Sequence, residues 1–154
     1  GVPLIINDRV DVALAVEADG VHLGQQDMPI RLARKLGPSG WLIGISAESR
    51  EDAVRAERDG ADYIGVSPVF ATPTKTDTAP PLGLEGLRAI RAAVRIPLVA
   101  IGGIHAGNAR DVIRAGANGL AVVSAIVAAD FPRAAAEQLR REIGKAENTA
   151  RPTQ

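Results

Sequence analysis

Short apolar runs recur along the chain at Leu4-Ile6, Val21-Leu23, Leu42-Ile45, Tyr63-Val66, Leu98-Ile101 and Leu120-Val123. None shows the apolar–polar alternation of a strand with one wet face. Between them, apolar residues fall at helical spacing. Val12, Leu14, Ala15 and Ala18 form one such face, and Ile30, Leu32, Ala33 and Leu36 another. Ala53, Val54 and Ala56 follow, then Leu84, Leu87, Ile90 and Val94, then Ala109, Val112, Ile113 and Ala115. Continuous apolar strands joined by helices predict a parallel sheet covered on both faces. Its connections must be right-handed crossovers.

Local punctuation agrees. Ser49-x-x-Asp52 and Asn108-x-x-Asp111 read as helix N-cap pairs. Asp59-Gly60-Ala61-Asp62 and Ala115-Gly116-Ala117-Asn118-Gly119 each close a helix and open a strand, with glycine expected at a left-handed C-cap. Asp19-Gly20-Val21 reads as a third copy. Such repetition belongs to a βα-repeat architecture. An open doubly wound sheet and a (β/α)8 TIM barrel both fit so far. No Gly-x-Gly-x-x-Gly follows the first strand, which weakens a dinucleotide-binding sheet. Strand starts about 21 residues apart suit a compact barrel, and a complete barrel takes roughly 200 residues or more. We therefore expect an α/β (β/α)8 barrel with six of its eight βα units present, over residues 1–143. A strand opens at once at Val2-Pro3-Leu4, with no methionine before it, so upstream units are expected to be missing. Residues 144–154 are polar and aperiodic and read as a C-terminal tail.

The 154 residues are 46% hydrophobic and 23% charged, ordinary for a globular protein. Lysine plus arginine equals aspartate plus glutamate at 18 each, so net charge points to neither nucleic acid nor a membrane surface. The absence of cysteine removes disulfide and thiolate chemistry. No apolar run is long enough to span a bilayer.

Candidate chemistry concentrates at strand ends, where barrels carry their active sites. The 35-residue interval between the fourth and fifth strand starts is the longest. It contains Thr72, Pro73, Thr74, Lys75 and Asp77, stiffened by Pro68, Pro80 and Pro81. Hydroxyls and a cation at a strand end suit an anionic ligand, most plainly phosphate. Ile101-Gly102-Gly103-Ile104 and Val123-Ser124-Ala125-Ile126 end the last two strands, where barrels bind phosphate through backbone N–H groups. Asp8 and Asp27 end neighbouring strands. They either hold Mg²⁺ as a carboxylate pair or serve as a helix cap and a turn residue. His22, inside a strand, reads as a packed and hydrogen-bonded core residue, His105 as a loop residue and Trp41 as packing on the opposite rim. No nucleophile with a partner base is evident.

In order, Ile5-Ile6-Asn7-Asp8-Arg9, Val21-His22-Leu23-Gly24-Gln25, Asp27-Met28-Pro29, Ile43-Gly44-Ile45-Ser46, Thr72-Pro73-Thr74-Lys75, Ile101-Gly102-Gly103-Ile104 and Val123-Ser124-Ala125-Ile126 resemble the thiamin phosphate synthase (thiamin phosphate pyrophosphorylase) family. The resemblance runs from about Val2 to Ala129. It implies a cytoplasmic (β/α)8 transferase. That enzyme joins hydroxymethylpyrimidine diphosphate to hydroxyethylthiazole phosphate, giving thiamin phosphate and pyrophosphate, with Mg²⁺ as cofactor. By that likeness Asn7, Ser46 and Lys75 contact the pyrimidine diphosphate, and Lys75 and Ser46 carry catalysis. Asp8 and Asp27 hold the Mg²⁺. Thr72, Pro73, Thr74, Gly103, Val123 and Ser124 bind the thiazole phosphate. The partners implied are these small molecules, and a homo-oligomer is compatible. The family's diphosphate-gripping Gln/Arg/Lys cluster, on the unit before the Ile-Asn-Asp motif, has no counterpart in these residues.

Three other readings compete. A thiazole tautomerase-like paralogue would share the thiazole phosphate site but need neither a diphosphate nor two metal carboxylates. A non-catalytic phosphate-binding barrel would bind without turnover. A tryptophan-pathway isomerase would need acid/base side chains at strand ends, which are not evident.

Overall fold

The computed structural model describes residues 1–72 and 80–150. Six strands form one sheet in the order β1-β2-β3-β4-β5-β6, every neighbouring pair parallel. They are β1 (Ile5–Asn7), β2 (Gly20–Leu23), β3 (Leu42–Ala47), β4 (Tyr63–Val66), β5 (Leu98–Ile101) and β6 (Gly119–Ala121). The helices are α1 (Val10–Ala15), α2 (Ile30–Leu36), α3 (Arg50–Asp59), α4 (Gly83–Ala93), α5 (Ala109–Arg114), α6 (Ser124–Val127) and α7 (Pro132–Ala150). Sequential parallel strands with a helix after each are βα units of a barrel, six of the expected eight. β1 and β6 stand at opposite ends of the strand order and do not pair with each other. Among the described residues, no helix is long and apolar enough to cross a membrane.

Burial shows how the sheet is used. Val21, Leu23, Ile43, Ile45, Ala47, Ile64, Val66, Leu98 and Ala100 point at the helices and are buried. Their alternates Ile5, His22, Leu42, Ser46, Tyr63, Val99 and Ile101 are half-buried. Strands that look uniformly apolar in sequence thus alternate in burial with the pleat. The sealed core lies between sheet and helices, where Ala13, Ala33, Ala53, Ala56 and Ala109 let the helices approach closely.

The repeated turn motif has a use beyond capping. In three strand pairs, the residue just before a strand accepts a backbone N–H at the start of the preceding strand. Asp19 Oδ2 takes the Leu4 N–H at 2.7 Å, Asp62 Oδ2 the Ile43 N–H at 2.7 Å, and Asn118 Oδ1 the Leu98 N–H at 2.9 Å. Asp62 is also paired with Arg34 at 2.7 Å, and the same guanidinium donates to the carbonyls of Trp41 and Gly60. Where Pro97 precedes β5, Glu57 of α3 instead accepts the N–H groups of Arg95 at 2.6 Å and Ile96 at 3.0 Å. Trp41 is buried on this rim, with its Nε1–H donating to the Ala18 carbonyl at 2.8 Å.

Several local expectations change. Ser49 caps α3, its hydroxyl accepting the Asp52 N–H at 3.1 Å. Asn108 does not cap α5 through its side chain. Its Oδ1 accepts from the His105 N–H at 2.9 Å and its Nδ2 donates to the Gly103 carbonyl at 3.0 Å, so it braces the preceding turn. Gly60 and Gly116 take the left-handed positions expected of them. Gly20 does not: Glu17, at φ 53°, makes that turn instead. Gly20 lies inside β2, where a Cβ would strike the Leu42 carbonyl of the adjacent strand. β6 ends at Ala121, because Val122 and Val123 lead into the short α6. α7 continues through residues 144–150, the first part of the expected tail, and buries Ala146.

Asp62→Ala strands the Ile43 N–H and unpairs Arg34, so it should destabilise by about 2–3 kcal/mol in denaturant unfolding. Asp62→Asn, which keeps an acceptor, should cost about 1 kcal/mol. The Arg95 N–H, helped by the Ile96 N–H and the nearby arginine charges, holds Glu57 below the ordinary carboxylate range against the opposing effect of burial. A depressed folded pKa stabilises above the unfolded value, and the gain is lost as pH falls through the folded one. The stability gap between wild type and Glu57→Gln should therefore shrink as urea unfolding is repeated from pH 7 down to about pH 3.

Candidate functional site

All strands point one way, so their C-terminal ends share one rim. Over β4, β5 and β6 this rim holds a cleft of about 680 Å³. Thr72, Gly103, Val123 and Ser124, expected from sequence to bind one ligand, all line it. Pro73, Thr74 and Lys75 lie outside the described residues.

The cleft's floor is built by two loops locked together. The Val69 N–H donates to the Ile101 carbonyl at 3.0 Å and the Phe70 N–H to the Gly102 carbonyl at 3.1 Å. The N–H groups of Leu82 and Gly83 return to the carbonyls of Pro68 and Val69, tying the start of α4 to the same segment. Gly102 and Gly103 have φ of 101° and 62°, a region that strains other residues. A Cβ on Gly103 would also lie 2.6 Å from the Ala71 carbonyl oxygen and 2.8 Å from the Phe70 Cβ. The glycine pair makes the tight turn that was one of the two readings weighed for it, and both glycines line the cleft. On the far wall, α6 starts at Ser124, and the first N–H groups of a helix have no partner within it. Among the described residues, no lysine or arginine lines this cleft. Anion binding here would use backbone dipoles and hydroxyls.

A second group occupies the inner face of the sheet. Asn7, His22, Gly44 and Tyr63 share one register level on β1 to β4, and Ser46 pairs with Gly65 one level higher. His22 Nε2 lies 2.9 Å from Ser46 Oγ, and its Nδ1 lies 3.1 Å from the Tyr63 hydroxyl. His22 is hydrogen-bonded as the sequence suggested, but it faces the barrel interior rather than the sealed core. Burial pushes its pKa down, partly offset by the negative charge of Asp27. Burial pushes the Tyr63 hydroxyl up, so it keeps its proton. Ser46 is also held through its backbone. Its carbonyl accepts from Gln25 Nε2 at 2.6 Å, and Gln25 Oε1 accepts from Arg55 at 2.7 Å.

Asp8 and Asp27 follow neighbouring strands on this rim. Asp27 Oδ2 accepts the Gly24 N–H at 2.6 Å, the turn role considered for it. Asp8 has φ 62° and donates its own N–H to the His22 carbonyl at 2.8 Å. Arg9, at the N-cap position of α1, makes no capping bond with its side chain. Asp11 pairs with Arg9, whose hydrogen bond lowers the Asp11 pKa to about 2. Among the described residues, no three His, Cys, Asp or Glu side chains cluster as a metal centre. A two-carboxylate set still fits Mg²⁺, which takes one or two carboxylates and fills its shell with water and phosphate oxygens.

Sequence reasoning gave Tyr63 no role beyond its strand, and it read Asn108 only as a helix cap. The signal for Tyr63 was the register: aligning His22, Gly44 and Tyr63 across three strands places it on the inner face.

Thiamine-phosphate synthase of Chloroflexus aurantiacus is 66% identical over 140 residues, which are 91% of this chain and 64% of that protein. The thiamine-phosphate synthase of Albidiferax ferrireducens is 63% identical over 143 residues, 93% of this chain and 65% of that protein. The chain therefore spans slightly less than two thirds of the length of these curated relatives. The solved thiamine phosphate pyrophosphorylase from Pyrococcus furiosus superimposes with a TM-score of 0.85 at 49% identity, covering 92% of this chain and 67% of that one. A 3-hexulose-6-phosphate synthase from Salmonella typhimurium, at TM-score 0.68 and 19% identity, shares the fold alone. The sequence profile described as thiamine monophosphate synthase matches residues 1–126, which takes in all six strands and the whole described rim, and the chain belongs to that family.

Proposed function

We propose that the protein to which these residues belong is a thiamin phosphate synthase. It would condense 4-amino-2-methyl-5-hydroxymethylpyrimidine diphosphate with 4-methyl-5-(2-hydroxyethyl)thiazole phosphate, releasing pyrophosphate. The observation that carries this reading is the convergence of Thr72, Gly103, Val123 and Ser124 on one cleft at the β4–β6 ends. In this reading the thiazole phosphate sits against the Gly102-Gly103 turn and the first N–H groups of α6, with Thr72 and Ser124 hydroxyls beside it. Pro73 and Thr74 would complete that side.

Asn7, Ser46 and Lys75 would bind the pyrimidine diphosphate over β1 to β4. Asp8 and Asp27 would hold Mg²⁺, the Asp27 rotamer being fixed by the Gly24 N–H. When bound, Mg²⁺ neutralises charge on the diphosphate as it leaves. Lys75 adds a second positive charge there. The two substrates would then meet across the barrel mouth, with the thiazole nitrogen directed at the pyrimidine methylene carbon. The C–O bond to diphosphate breaks, the amino-pyrimidine carries the positive charge, and a C–N bond forms. Such catalysis is electrostatic and positional and needs no protein nucleophile.

The test is a Mg²⁺-dependent assay for thiamin phosphate and pyrophosphate with both substrates. Lys75→Ala and Asp27→Ala should each lower kcat by about 10²–10³-fold. Retention of full pyrophosphate release by both variants would refute the synthase reading. Gly103→Ala should raise KM for the thiazole phosphate about tenfold or more, because its Cβ collides with Ala71 and Phe70. Calorimetric binding of thiazole phosphate without turnover would favour a non-catalytic barrel.

A further inference from the structure

We propose that Tyr63 and His22 form a one-way hydrogen-bond chain that fixes Ser46 as a donor toward the barrel mouth. They act as positioning residues for whatever acceptor group binds there. The substrate side of this inference rests on the proposed synthase reading; the chain's polarity does not.

The space for the chain is reserved in the backbone. A Cβ on Gly65 would lie 2.8 Å from His22 Cε1, and a Cβ on Gly44 would strike both His22 and the Tyr63 ring. Two mid-strand glycines, each unfavourable in a sheet, leave room for the imidazole. The ring centroids of His22 and Tyr63 are 5.5 Å apart.

Proton accounting sets the direction. A neutral imidazole donates from one nitrogen and accepts at the other. Among the described residues, His22 is the one hydrogen-bond partner of the Tyr63 hydroxyl. If Nδ1 carried the proton, the tyrosine would accept, and its own half-buried O–H would have no acceptor among the described residues, which costs free energy. With the proton on Nε2, Tyr63 donates to Nδ1 and Nε2–H donates to Ser46 Oγ at 2.9 Å. The Ser46 O–H is then left to donate to a ligand. The Gln25 contact to the Ser46 carbonyl keeps the strand from rotating away. One consequence is chemical: with its proton on Nε2, His22 cannot accept the serine proton. Ser46 and His22 are therefore not a nucleophile–base pair despite their spacing.

Nitrogen-15 NMR reads the tautomer directly and needs no substrate. The chain has two histidines, so His105→Gln assigns the His22 signals. A protonated Nε2 with bare Nδ1 at neutral pH, becoming a tautomer mixture in Tyr63→Phe, supports the proposal. A proton on Nδ1 overturns it. In the synthase assay, Tyr63→Phe should lower kcat/KM for the pyrimidine diphosphate about tenfold while KM for thiazole phosphate holds. His22→Gln, which keeps a donor near Ser46, should retain more activity than His22→Leu. Wild-type rates in both Tyr63→Phe and His22→Leu, beside an impaired Ser46→Ala, would also overturn it. Lack of turnover in the wild type would count against the synthase reading alone, because the NMR result still decides the polarity.

Discussion

Every strand of this sheet runs in the same direction, and most of the molecule follows from that. A parallel neighbour can be reached only by a crossover, so each strand is followed by a helix that lies over the sheet. The crossovers seal one face of the sheet with alanine-lined helices. They also deliver every strand's C-terminal end to one rim. Asn7, Asp27, Ser46, Gly103 and Ser124 are distant in sequence, yet chain direction alone puts them on one side of the molecule.

The two rims then divide the labour. At the strand starts, acidic and amide side chains close unpaired backbone N–H groups: Asp19, Asp62 and Asn118 each reach back to the strand before. Arg34 and Glu57 extend that network. These contacts are local to the scaffold and aim nothing at a ligand. At the strand ends, polar groups are arranged around openings instead. Backbone at Gly102 and Gly103 adopts conformations that only glycine tolerates easily, because the β4 loop packs directly on it. Strain-tolerant residues at one rim and backbone-closing side chains at the other are the expected division in a barrel that binds at its C-terminal face.

The inner face of the sheet joins the two. His22, Tyr63 and Ser46 sit on the pleat positions opposite the sealed core, half-buried where the alternates are fully buried. Half-burial matters chemically. It is dry enough to keep His22 neutral and Tyr63 protonated, and open enough for Ser46 to meet a ligand. The same register that stacks these residues explains Gly44 and Gly65, whose missing side chains are the space the imidazole fills.

Periodicity, turn residues and strand spacing were enough to read the βα repeat, since apolar strands and helical faces are local patterns. The rim residues were legible too, because βα-barrel chemistry falls at strand ends and those can be counted along the chain. What sequence could not supply was which way an ambiguous polar residue is used. Asn108 matched a cap pattern but braces Gly103, because the turn brings that carbonyl within reach. Gly20 matched a left-handed turn but is required by the approach of Leu42 from another strand. His22 had the same apolar neighbours under either reading. Only the pairing of three strands decided that its partners are Tyr63 and Ser46, since such contacts depend on register between segments far apart in the chain.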